Sequence, residues 1–247
     1  MALLVDDGVR YPFRGDRSFD LLAAGGLAGL VAAISIQLAT VAYALPLVVL
    51  FVGVGTVSIV VLLGYLFRVF TRTIEGDDTP PGFRPLEPVV RNGCRLLVVT
   101  VGYAIVGGAI VGVTVGGLMG TPFSPDAVGF VGSMLFFTAS TIVLLVVVTV
   151  GYVYPAAVGR VAAGGRLREA ATLRLHVPIV AHSGYFTAWM FASLFVVPGW
   201  AFLIAALSNA TAFGVVAVFV AFYAHVVAVR IVARGYRAAS MDAERSL

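Results

Sequence analysis

Four long stretches of this chain contain no Asp, Glu, Lys or Arg: Leu21 to Phe67, Leu96 to Pro125, Ala127 to Gly159 and Leu175 to Val229. A helix crosses a hydrocarbon layer about 30 Å thick with around 20 apolar residues, so each stretch holds one or two crossings. No soluble core absorbs that much apolar surface. The 11% of charged residues is under half of the roughly 25% usual in soluble domains. Runs such as "TIVLLVVVTV" (141–150) lack the alternation that barrel strands require. A helix satisfies its backbone polar groups within the segment, so helices are the expected spanning elements.

Pro46, the pair Pro122 and Pro125, and Ser208-Asn209 punctuate these stretches, and Pro is well suited to open a helix. The division gives six spans, near 21–43, 46–68, 96–119, 128–150, 184–207 and 211–233. The expected fold is all-α: a polytopic membrane helix bundle of six transmembrane helices with short amphipathic cytoplasmic helices. Residues 1–20 form a cytoplasmic N-terminal segment, 21–233 the transmembrane domain and 234–247 a cytoplasmic tail, with Gly235 ending the last helix. Residues 1–20 are polar and charged, so the first span is expected to act as the insertion signal. The single cysteine, Cys94, has no internal partner for a disulfide.

The 16 basic residues are all arginines, and their distribution sets the orientation. Arg10, Arg14 and Arg17 precede the first span. Arg68, Arg72, Arg84, Arg91 and Arg95 lie between the second and third, and Arg160, Arg166, Arg168 and Arg174 between the fourth and fifth. Arg230, Arg234, Arg237 and Arg245 close the sixth, and the three remaining loops carry none. Short loops rich in Lys or Arg stay in the cytoplasm, so both termini are expected there, in the cell membrane. Arg68 and Arg72, like Arg230 and Arg234, are four residues apart on one helix face and can reach lipid phosphates while their stems stay in apolar surroundings. Tyr65 is expected at the headgroup level beside them.

Gly-Tyr recurs at 64–65, 102–103, 151–152, 184–185 and 235–236, which reads as a weak internal repeat of two-helix units. In the first linker, Phe83, Leu86, Val89, Val90, Gly93, Cys94 and Leu97 oppose Arg84, Glu87, Arg91 and Arg95 at helical spacing. Leu167, Ala170, Ala171 and Leu175 opposite Arg166 and Glu169 make a fainter copy. Such helices either lie in the interface with arginines toward anionic headgroups, or merely cap the bundle. Pro88 puts the start of the first one in question. Gly108, Gly112, Gly116 and Gly120 form a ladder of small residues, expected as a packing seam inside the bundle with Gly25 and Gly29 opposite, or else as a homodimer face. Pro198-Gly199 should kink the fifth span.

Residues that carry chemistry are sparse. An intramembrane relay needs ionisable groups at depth, and the spans offer only Gln37 and His225, each expected to be hydrogen-bonded to the bundle. His176 and His182 have no carboxylate neighbour and no HExxH pattern. Ser183 in "AHSG" (181–184) lacks the glycine that the intramembrane serine protease pattern requires, and only His225 follows it. Glu75, Asp77 and Asp78 read as a solvated loop rather than a cation site. Asn209-Ala210-Thr211 matches a glycosylation acceptor held too near the membrane for modification. No catalytic, cofactor-binding or metal-binding residue is expected. Topology explains the arginines, so no nucleic-acid partner is expected either.

"YPFR" (11–14), "GYLFRVFTRTIEGDDTPPGF" (64–83) and "GYVYPAAVGRVAAGGRLREA" (151–170) resemble the domain-of-unknown-function 4013 family. The resemblance extends over nearly the whole chain. It implies a multi-pass membrane protein of a kind frequent in halophilic archaea, without assigned activity or catalytic residues. The leading expectation is a non-enzymatic scaffold or membrane-organising protein. Its contacts to lipid headgroups, or to a membrane or cytoplasmic protein partner, would come from Arg68, Arg72, Arg84, Arg91, Arg95, Arg160, Arg230 and Arg234. The alternative is a transporter or permease for an uncharged or lipid-like solute, with a hydrated cavity lined by Gln37, Thr138, Ser140 or Ser193.

Overall fold

The computed structural model describes residues 2–15, 18–119, 129–208 and 211–245, and those residues form an all-α bundle. A short helix α1 (Ala2–Arg10) and a 3₁₀ turn (Tyr11–Phe13) precede α2 (Ser18–Val41), α3 (Val48–Glu75), α4 (Leu86–Met119) and α5 (Phe130–Ala162). Two 3₁₀ turns, Leu167–Ala171 and Leu173–Leu175, and the single turn α6 (Val177–Val180) lead into α7 (Ser183–Ser208) and α8 (Ala212–Arg245). Six of these helices, α2, α3, α4, α5, α7 and α8, are long and apolar enough to cross a membrane, at the six places the hydropathy pattern requires.

Several helices run further than their apolar spans. α3 continues two turns past Arg68 to Glu75, and α8 passes through Gly235 to Arg245, so the tail is a helical extension and Gly235 is no stop. The amphipathic linker of residues 83–97 is no separate interfacial helix. From Leu86 onward it is the first part of α4, with Pro88 in the first turn, where a missing backbone donor costs no hydrogen bond. α7 likewise stays helical through Pro198.

The two longer linkers open in the same way. At the end of α3, Gly76 takes a left-handed conformation (φ 93°), its N–H bonding Thr73 O while that of Asp77 bonds Arg72 O. At the end of α5, Gly164 (φ 91°) and Gly165 repeat the pattern onto Val161 O and Arg160 O. Both are glycine caps in which the left-handed residue satisfies carbonyls that the helix leaves unpaired.

α7 and α8 pack over most of their length, α2 and α3 lie against α8, and α4 packs on α3. The α3–α4 contact brings backbone to backbone. A Cβ on Gly64 would lie 1.9 Å from Val89 O and one on Gly93 1.9 Å from Val60 O, so both positions require glycine. The main core (Phe67, Phe70, Val99, Ala156, Tyr185, Ile231, Tyr236 and neighbours) sits in the half of the bundle that carries the arginines. α4 and α5 pack on each other, and Ala156, Ala157 and Val161 of α5 enter the core, but most of the apolar surface of both helices is exposed among the described residues, as expected for surfaces that meet lipid.

Candidate functional site

The N-terminal segment, both long linkers and the end of α8 converge at one end of the bundle, and the arginines there divide into two groups. The first group is locked. Arg230 is buried, with 1% of its surface exposed, and its guanidinium lies 4.5 Å from the centre of the Tyr11 ring. Its Nε donates to Asp7 (3.3 Å), its Nη1 to Thr73 Oγ1 (3.2 Å) and Asp77 O (2.8 Å), and its Nη2 to Asp78. Asp7 also takes Arg14 (2.6 Å) and Arg234 (2.6 Å). Burial opposes ionisation of Asp7, but the Arg14 hydrogen bond and the charges of Arg230 and Arg234 together hold its pKa below the usual carboxylate value. Burial pushes the Tyr11 phenol up to about 12 despite the neighbouring Arg230. A buried charge needs a partner and satisfied donors, and this arrangement supplies both.

Arg230 is therefore enclosed by protein rather than open to headgroups as the sequence suggests, and Arg234, 41% exposed, is paired with Asp7. Their side chains tie α8 to α1, and Arg230 also reaches the segment after α3. Arg68 is half-buried and donates to Gly82 O (2.8 Å) and Arg84 O (3.4 Å), which clamps the first linker onto α3. Arg72 pairs with Asp77 (3.4 Å) and Arg160 with Glu169 (3.0 Å), both at the surface. The acidic loop after α3 is thus engaged rather than simply solvated. Hydrogen bonds from Thr79 hold the Asp77 carboxyl below its ordinary pKa, and Asp78 meets Arg230. Tyr65 is fully buried and stacked on Phe83 at 4.3 Å, so its ring meets protein rather than lipid headgroups.

The second group is open. Arg84, Arg91 and Arg95 in and after the first linker, and Arg166, Arg168 and Arg174 in the second, are exposed and make no ion pair among the described residues. Arg91 and Arg95 are one helical turn apart on α4 and flank the exposed Cys94.

The glycine ladder does not form an internal seam. Gly108, Gly112 and Gly116 are exposed, with nothing within 4 Å of a Cβ placed on them, because α4 points that face away from the bundle. Gly120, Asn209 and Ala210 lie outside the described residues. Gly25 and Gly29 do pack closely, but against Phe222 and Val218 of α8. Gln37 donates from α2 to Ala206 O (2.9 Å) and Leu207 O (3.3 Å) on α7, at the opposite end of the bundle from the arginines. It borders a cavity of about 300 Å³ with otherwise mostly apolar walls, including Leu30, Ile34 and Val218. Thr138 and Ser140 face outward on α5, and Ser193 bonds its own helix at Trp189 O, so the four polar groups of the transport reading do not converge. His225 bonds Ala221 O (2.7 Å) and lies against Gly199, far along α7 from Ser183. His182 pairs with Asp242 (3.0 Å), and buried His176 bonds Ala170 O (3.0 Å).

Asp7, Tyr11 and Thr73 escape sequence reading as members of one site. The signal the sequence offers is the acidic pair Asp6-Asp7 in a segment that also carries Arg10, Arg14 and Arg17. No curated protein and no solved structure matches the chain. A family described as "Protein of unknown function (DUF4013)" matches residues 47–210, from the start of α3 to just beyond α7. The match leaves "YPFR" (11–14) outside it and covers about two thirds of the sequence. The chain is an integral, multi-pass membrane protein and belongs to the DUF4013 family.

Proposed function

We propose that this protein is a non-enzymatic membrane-organising scaffold that holds anionic lipid headgroups at its arginine-bearing end, with both termini in the cytoplasm. The observation that carries the reading is the division of the arginines. Those with acidic partners build the end of the bundle, and Arg84, Arg91, Arg95, Arg166, Arg168 and Arg174 remain exposed without ion pairs among the described residues. Each basic residue near an anionic surface contributes about 1 kcal/mol of attraction. The orientation follows from the same arginines, since charge-bearing short loops stay in the cytoplasm.

The test uses the full chain in nanodiscs of phosphatidylcholine with phosphatidylglycerol, released into the gas phase for native mass spectrometry. The Arg91→Gln/Arg95→Gln variant should lose phosphatidylglycerol retention by about fivefold for each arginine removed. Retention equal to that of the parent would overturn the lipid reading for the first linker, and equal retention of both lipids by the parent would overturn it altogether. So would loss of a co-purifying cytoplasmic protein from the variant with lipid retention unchanged, which would put a protein in the lipid's place.

A further inference from the structure

We infer that the second linker, residues 166–177, is a wedge inserted at the headgroup–hydrocarbon boundary, where it binds anionic phospholipid. This deepens the lipid reading above by naming the element and its depth. The linker does not extend outward from α5. It folds back along it, so that Tyr152, about ten residues or 15 Å of helix before the end of α5, donates to Val180 O. On the other side Tyr103 of α4 donates to Ala170 O (3.0 Å), which His176 also contacts. Tyr103 and Tyr152 both lie within charge-free stretches, 96–125 and 127–159. The linker and the turn after it are therefore fastened against residues of the charge-free stretches of α4 and α5.

Its two faces differ accordingly. Ala170, His176 and Ile179 are buried beneath it. Its outer face shows Leu167, Leu173 (64% exposed), Leu175 and Val177 (56% exposed), interleaved with the exposed Arg166, Arg168 and Arg174. In water such a face would be a standing hydrophobic liability. At the interface it has a natural partner: aliphatic side chains enter the acyl boundary while the arginine stems carry their charge up to phosphate. Glu169, the one acid of the segment, is paired with Arg160 and lies near Arg166, which leaves Arg168 and Arg174 without an ion pair among the described residues.

The experiment places spin labels on the full chain in a Cys94→Ser background, in vesicles of phosphatidylcholine with phosphatidylglycerol. Leu173→Cys and Leu175→Cys should collide more with oxygen, which partitions into lipid, than with a water-soluble nickel chelate. Arg168→Cys should show the reverse. The Arg166→Gln/Arg168→Gln/Arg174→Gln variant should retain phosphatidylglycerol less by about fivefold per arginine. Leu173 contacts little of the fold, and retained helicity of each labelled variant keeps the comparison sound. Equal nickel accessibility at positions 168, 173 and 175 would overturn the inference. Weakened retention here with none in Arg91→Gln/Arg95→Gln would uphold it and discard the reading of the first linker.

Discussion

Arg230 and Arg91 are the same residue type at the same end of the bundle, and they do opposite things. Arg230 has lost its water and meets two aspartates, a threonine, a carbonyl and an aromatic face. Arg91 stands in the open, with no ion pair among the described residues. A guanidinium suits both roles because its donors form a planar fork and its charge does not titrate away. A positive loop therefore need not be a uniform binding surface, and part of its charge can be internal carpentry.

The sharpest way to break this comparison is to truncate one arginine of each kind. Arg230→Ala should destabilise the bundle by about 3–5 kcal/mol, because it leaves Asp7 short of a partner and opens a cavity. Arg91→Ala should change stability by less than about 0.5 kcal/mol, as surface substitutions usually do. Thermal unfolding in detergent followed by circular dichroism measures both, and equal effects would erase the distinction.

Acid probes the lock with a smaller effect. The folded-state pKa of Asp7 lies below its ordinary value of 3.8, so its contribution is full above that value and disappears as pH falls through the lowered one. Proteolysis of the α1 segment should accordingly be slow at neutral pH and accelerate only below about pH 4. Acceleration already near pH 6 would assign the docking of α1 to another group. The smallest effect belongs to Tyr65, whose buried hydroxyl has no hydrogen-bond partner among the described residues, beside this well-satisfied site. Tyr65→Phe should be neutral or stabilising by up to about 1 kcal/mol in the same unfolding assay, since an unpaired buried polar group is a cost.

The six spans are legible because hydropathy over twenty residues is a cumulative signal that tertiary contacts do not reverse. The orientation expectation is of the same cumulative kind, resting on sixteen arginines rather than one, and awaits the labelling experiment below. What fails is the fate of single side chains. Nothing near Arg230 in sequence tells that its partners are Asp7 and Asp78, which lie 223 and 152 residues away. The ladder of Gly108, Gly112 and Gly116 correctly defines one helix face, but spacing cannot say whether another helix comes to meet it. Residues 83–97 look amphipathic because one side packs on α3 through Gly93, which mimics the pattern of a helix lying on a membrane.

Cys94 offers the most direct measurement. It is the sole cysteine, is exposed, and sits between Arg91 and Arg95. A membrane-impermeant maleimide added to intact cells should leave it unlabelled and react once the membrane is permeabilised. Labelling of intact cells would put the arginine-bearing end outside and contradict the account.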